Sequence, residues 1–207
     1  MRLTKHGHAC VRLDADGGSL VIDPGTYSPD VDLDGVGDLL VTHEHADHVD
    51  PAVVVPAVRS GTRVHAPAGV VDWLRDEHDV EAHRVAPGDS LVVAGLDVRV
   101  VGGDHAEIYD GLPGCANVGY LVHGLYHPGD ALHVPADAVE TLLVPVCAPW
   151  LKLAEALDFV RAVRPERAFP IHDAMLSEVG LANVDGWLER KGSTDYRRLA
   201  AGAPTDL

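Results

Sequence analysis

From residue 43 to residue 48 the chain reads His-Glu-His-Ala-Asp-His, five side chains in six positions that can take a proton or a cation. Imidazole nitrogens and carboxylate oxygens ligate zinc-type ions at about 2.0–2.2 Å, and a catalytic site of that kind leaves one position open for water. In an extended turn His43 and His45 project to the same side and can share one ion. Asp47 and His48 are displaced from that pair and suit a second ion. Two ions about 3.5–4 Å apart with a shared hydroxide form the usual two-metal hydrolytic centre. Glu44 is the exception, because both of its neighbours must point inward, and it is expected to face solvent.

Side chains of the same chemistry recur downstream as Asp104 with His105, Asp130, and His172 with Asp173. No cysteine falls in any of these motifs, so the donors are nitrogen and oxygen only, a set that suits zinc, manganese or iron. Asp104 reads as a turn former or supporting group. His78, His83 and His133 lie in polar segments and read as surface residues. His65 and His123 fall in strands. Tyr109 and Tyr120 could reach a substrate oxygen, although strand tyrosines are usually packed, and Cys115 and Cys147 read as small buried fillers. No Ser-His-Asp arrangement and no phosphate-cradling glycine loop offers a competing chemistry.

The elements that must position these groups are short strands. DLLVT precedes His43, VRVVGG precedes Asp104 and His105, the turn in LYHPG precedes Asp130, and RAFPI precedes His172. Loops at strand ends are where a rigid scaffold presents functional groups, so the four sites can converge. Further strands are expected at RLTKH, ACVRLD, SLVID, RVHAP, SLVVA and TLLVPV, with a hairpin over VGYLVHGLYH, some ten strands in all. Asp50 followed by Pro51 predicts an N-cap and first helical residue, with a helix to about Val58 that Pro56 keeps short or kinks. Helices are also predicted over APAGVVDWLRDEH, over LKLAEALDFVRAV with Leu153, Ala156, Leu157 and Val160 on one face, and over a tail containing Trp187. Strands interleaved with helices indicate a layered α/β fold. With no repeat or linker, residues 1–207 read as a single domain.

The formal net charge is -16, which repels polyanions and makes nucleic acid a poor partner. No apolar run approaches the roughly 18 residues of a membrane span, and the first residues lack the apolar stretch of a signal peptide. Three scattered cysteines, Cys10, Cys115 and Cys147, form no CxxC pair and suggest a reducing, cytoplasmic setting. The expected partner is a small-molecule substrate, with self-association into a homo-oligomer left open.

On these residues the chain resembles the metallo-β-lactamase-fold hydrolase superfamily. THEHADH fits its HxHxDH motif, and His105, Gly129–Asp130 and His172 follow in the superfamily's order. KHGHACVRL, LVIDPG, LYHPGDAL, LLVPVCAPW and FPIHDA resemble its small stand-alone branch, which includes ascorbate-6-phosphate lactonase-like proteins. The resemblance implies a four-layer αβ/βα sandwich with the site along one edge. It implies one metal on His43, His45 and His105, a second on Asp47, His48 and His172, and Asp130 bridging the two. It implies that Asp23 supports the histidine loop and that His8 lies at the pocket rim. True metallo-β-lactamases carry cysteine at the position of Asp130, which argues against β-lactam hydrolysis. Flavodiiron-type reductases carry glutamate at the position of His45, which argues against a redox di-iron centre.

The function expected from these features is a binuclear metal-dependent hydrolase. It would use two divalent ions, zinc first with manganese or iron as alternatives, and a metal-bridging hydroxide to cleave a small ester, lactone or phosphoester. Asp47 is the expected catalytic group, holding its metal and accepting a hydrogen bond or proton from the hydroxide. The competing readings are a mononuclear iron persulfide dioxygenase, which also keeps HxHxDH, and a metal-binding protein without turnover.

Overall fold

The computed structural model describes residues 1–28 and 30–207. The first half of the chain forms β1 (Arg2–Gly7), β2 (Cys10–Ala15), β3 (Gly18–Ile22), β4 (Val36–Leu40), α1 (Pro51–Arg59), β5 (Arg63–Ala66), α2 (Ala68–His78) and β6 (His83–Arg84). The second half forms β7 (Ser90–Val93), β8 (Leu96–Asp104), β9 (Ala116–Val122), β10 (Leu125–His127), β11 (Thr141–Pro145), α3 (Leu153–Val163), β12 (Arg167–Ile171), α4 (Glu178–Lys191), β13 (Asp195–Tyr196) and β14 (Pro204–Asp206).

Two seven-stranded sheets result, in the orders β14-β1-β2-β3-β4-β5-β6 and β13-β12-β11-β10-β9-β8-β7. Both are mixed. β1, β2 and β3 pair antiparallel and β3 to β6 pair parallel. In the second sheet β7 to β10 pair antiparallel and β10 to β13 parallel. Fourteen strands among the described residues exceed the ten or so expected from sequence. The additions, β6, β13 and β14, are two or three residues long, too short to show an alternating pattern.

Alternation explains the layers. In β3, Leu20 and Ile22 enter the core between the sheets while Val21 points to the other face, against α1 and α2. In β11, Leu143 enters that same inner core while Leu142 and Val144 pack against α3 and α4. Strands apolar on both faces must be covered on both faces, so the order helix, sheet, sheet, helix follows. This is the α/β sandwich expected. Asp50 caps α1 by accepting a hydrogen bond from the Ala52 amide at 2.8 Å, with Pro51 in the first turn. α3 buries Ala156, Phe159 and Val160. Among the described residues no helix is long and apolar enough to cross a membrane.

Candidate metal centre

The loops that leave β3, β4, β8, β10, β11 and β12 meet at one edge of the sandwich. Close backbone approach holds them there. A Cβ on Gly25 would lie 1.9 Å from the carbonyl oxygen of Asp47, so glycine is required where the loop after β3 crosses the histidine loop. The Thr26 amide donates to Ala46 O at 2.8 Å and the Asp50 amide to Pro24 O at 3.0 Å, fastening the two. Gly129, at φ +61°, similarly abuts Thr42 and Asn117. Asp23, His8 and His172 all adopt positive φ without being glycine. Such backbone is costly and persists only where surrounding structure over-determines it.

Eight side chains converge on this edge. His43, His45, His105 and Asp130 place donor atoms within 4.8 Å of one another, and so do His8, Asp47, His48 and His172. Asp130 lies between the groups. Its Oδ2 is 3.4 Å from His105 Nε2, 4.0 Å from His43 Nε2 and 3.1 Å from His172 Nε2, and its Oδ1 is 3.1 Å from His48 Nε2.

Hydrogen-bond partners assign the imidazole protons. Carbonyl and carboxylate oxygens only accept, so a ring nitrogen facing one must carry hydrogen. His48 Nδ1 donates to Asp23 Oδ2 at 2.7 Å, His105 Nδ1 to Ala106 O at 2.6 Å, and His172 Nδ1 to Cys147 O at 2.5 Å. The Thr42 hydroxyl, which donates to Asp23 Oδ2, is left to accept from His43 Nδ1 at 3.0 Å. Each of these four rings therefore turns Nε2 toward the centre, where a bound cation would displace any proton and take the lone pair. Orienting partners of this kind accompany most histidine ligands. His45 Nδ1 lies 3.1 Å from His43 Nε2, aimed at the same space.

His8 is arranged the opposite way. The Ala174 amide donates to its Nδ1 at 3.2 Å, which leaves the proton on Nε2, 3.1 Å from Asp47 Oδ2. His8 thus offers Asp47 a donor and has no lone pair free for a cation. Expected at the rim, it is buried. Asp23 accepts from the Thr42 amide and hydroxyl, both at 2.8 Å, as well as from His48, so one buried carboxylate orients the histidine loop.

Electrostatics favour a cation here. Burial would raise the Asp130 carboxyl, but His48, His105 and His172 hold it well below the usual range. Burial likewise opposes ionisation of Asp47, and His172 and His8 outweigh it, keeping the carboxyl far below its ordinary value. Burial pushes His43 well below the normal imidazole range, with His48 adding to the effect. His48 rises against its own burial because Asp130 and Asp23 flank it, and His172 is pushed up to about 9 by Asp130 and Asp47. Meanwhile the buried His48, His105 and His172 Nε2 atoms and Asp130 Oδ1 have no hydrogen-bond partner. Orphaned buried polar atoms are costly and call for a missing ligand. Divalent cations answer that need, and the nitrogen-oxygen donor set fits them.

Several supporting residues escaped sequence reasoning. Trp150 donates from Nε1 to Asp130 Oδ2 at 3.1 Å. Asn117 accepts from the Asp130 amide at 2.9 Å and donates to Pro128 O, fixing the turn that carries the carboxylate. Buried His127 donates to Ala9 O at 2.8 Å. Their partners lie far off in sequence, so no local pattern announces them.

Other expectations fall outside the centre. Glu44 and Asp104 are exposed, as are His83, His123 and His133. His65 bonds Asp38 at 3.0 Å on another face of the sheet. Tyr120 is a core residue whose hydroxyl donates to Val41 O, while Tyr109 is exposed. Cys115 and Cys147, expected as buried fillers, are only half-buried. Asp173 turns away from the centre to accept from Lys5 Nζ at 2.6 Å.

Known proteins share this sequence and architecture. The profile of the beta-lactamase superfamily domain matches residues 2–172. The chain is 36% identical over 206 residues to Protein Rv0786c of Mycobacterium tuberculosis, covering 96% of each. It is 30% identical over 196 residues to a UPF0173 metal-dependent hydrolase of Methanopyrus kandleri, covering 83% of this chain and 84% of that one. Among solved structures it is similar in fold to Igni18, a metallo hydrolase of Ignicoccus hospitalis, with a TM-score of 0.78 at 19% identity over 99% and 97% of the two chains. Sequence match, sandwich and the cluster of oriented histidines agree, and the chain belongs to the metallo-β-lactamase superfamily of metal-dependent hydrolases.

Proposed function

We propose that the chain is a binuclear hydrolase in which His43, His45 and His105 hold one ion, Asp47, His48 and His172 hold the other, and Asp130 serves both. The observation that carries this reading is the position of Asp130, whose two oxygens face imidazoles of both groups. Zinc suits the donors best, with manganese or iron as alternatives. When bound, such ions would lower the pKa of a coordinated water from 15.7 to about 7 and polarise the electrophile.

The protein's own residues supply the rest. Asp47 Oδ2, steadied by the His8 proton, is placed to accept a hydrogen bond from the attacking water and orient it. Trp150 restrains Asp130, limiting how far that carboxylate can swing as charge builds on the substrate. The substrate is a small molecule with an ester, lactone or phosphoester bond, reached through a cavity of about 270 Å³ over the centre. Free thiols at Cys10, Cys115 and Cys147 suit a cytoplasmic setting.

Elemental analysis of natively purified protein, followed by assays with the metal found, tests the proposal. Two divalent ions per chain and turnover of an ester, lactone or phosphodiester are expected. One iron per chain with oxygen uptake on a persulfide would overturn it in favour of a dioxygenase.

A further inference from the structure

Resting on that hydrolytic centre and narrowing its substrate to a carboxylic ester or lactone, we infer that the substrate is uncharged and carries an alkyl or aryl group beside the scissile bond. The wall of the cavity is the evidence. Beyond the metal-ligating side chains it is built largely from Tyr27, Ile108, Pro149, Trp150 and Met175. Among the described residues no lysine or arginine lines it, and its carboxylates are Asp47 and Asp130. The cations behind His172 are committed elsewhere. Lys5 Nζ is bound to Asp173 Oδ2 and Pro170 O, and Arg198 is bound to Asp173 and Asp185. A phosphate or carboxylate on the non-reacting part of a substrate would be desolvated there without a partner, which is strongly unfavourable.

The apolar wall is also preformed and exposed. Tyr27 is 49% exposed, Ile108 42% and Met175 51%, three large apolar side chains from three separate loops around one mouth. Tyr109 and Leu112, also exposed, sit on the Ile108 loop and extend the surface outward. That loop is braced by bonds from the Ile108 amide to Leu112 O at 2.8 Å and from the Leu112 amide to Tyr109 O at 3.0 Å. The Trp150 indole is pinned through Nε1 to Asp130, edge-on to His105 and His172. Contiguous exposed apolar surface rimming a polar centre marks a ligand site. At about 270 Å³ the cavity is smaller than the roughly 300–1,000 Å³ of drug-sized pockets, so it seats the reacting end of a small molecule.

Two probes differing only in remote charge test this in the metal-loaded protein: 4-nitrophenyl hexanoate and the same ester with a terminal sulfonate. The neutral ester is expected to have a kcat/KM at least tenfold higher. Met175→Arg, which places a cation at the mouth, is expected to narrow that ratio at least tenfold. Equal rates, or a preference for the sulfonate, would overturn the inference. Calorimetric binding of hexanamide against its terminal sulfonate gives a second measurement that needs no turnover. If neither ester is cleaved, the ester reading of the centre fails, while tighter binding of hexanamide still supports an uncharged ligand and equal binding overturns it.

Discussion

His8 and His172 lie with ring centroids 4.0 Å apart, yet Nδ1 of the first accepts from a backbone amide while Nδ1 of the second donates to a backbone carbonyl. The difference separates a ligand from a donor and predicts different phenotypes. His43→Ala and Asp130→Ala should each lower bound metal and abolish hydrolysis, while the distant His78→Ala does neither. His8→Leu should retain most of the metal but lose about 10- to 100-fold in kcat, the usual cost of deleting a group that orients a ligand. His8→Gln, whose amide can still donate to Asp47, should recover part of the loss. Metal content by mass spectrometry and steady-state kinetics on the same samples separate these outcomes. Complete loss of metal in His8→Leu would show His8 to be a ligand.

At the scale of elements, each strand must end in the right place for its loop to reach the centre. β4 and β5 are locked by Asp38, buried between them, which accepts from Arg63 at 2.7 and 2.8 Å and from His65 at 3.0 Å. Burial raises the Asp38 carboxyl, but the Arg63 and His65 hydrogen bonds outweigh it and hold it below the usual value. A carboxyl depressed on folding contributes stability above its unfolded pKa, about 3.9, and that contribution is lost as pH falls through the folded value. Asp38→Asn should therefore cost about 1.5–3 kcal/mol at pH 7, the range for a hydrogen bond to a charged group. The gap from the natural protein should close as the pH drops below about 4. Urea titrations at several pH values measure it, and a gap independent of pH would exclude the ionic contribution.

Taken whole, the molecule is two sheets bound across a shared core and across the candidate metal centre. The Val118 amide donates to Thr42 O, Tyr120 to Val41 O, His127 to Ala9 O and Lys5 to Pro170 O, each bond joining one sheet to the other. The proposed ligands are divided likewise, four following β4 and three following strands of the second sheet. We therefore propose that residues 1–207 unfold as one domain and that metal ties its halves together. Metal at 100 times its Kd stabilises a folded chain by about 2.7 kcal/mol per site. Chelation should accordingly lower Tm by about 5 °C or more in a single calorimetric transition. Two transitions would show the sheets to be separate domains, and an unchanged Tm would argue against metal bound between them.

The amino-acid sequence determined which residues could hold metal, because HxHxDH and its downstream partners declare themselves by residue type and by position after apolar strands. It determined the long strands and all four helices, since periodicity and the Asp50–Pro51 cap are local signals. The short strands β6, β13 and β14 were invisible, having too few residues for a period. Tertiary structure alone decided which nitrogen of each imidazole faces the centre, that His8 is buried with its proton toward Asp47, and that Trp150 and Asn117 support Asp130. It alone assembled an apolar, cation-free wall from four distant loops. Apart from the adjacent Thr42 and Ala106 that orient His43 and His105, these features depend on pairings between groups 11 to 166 residues apart, and such distances become contacts only when the chain folds.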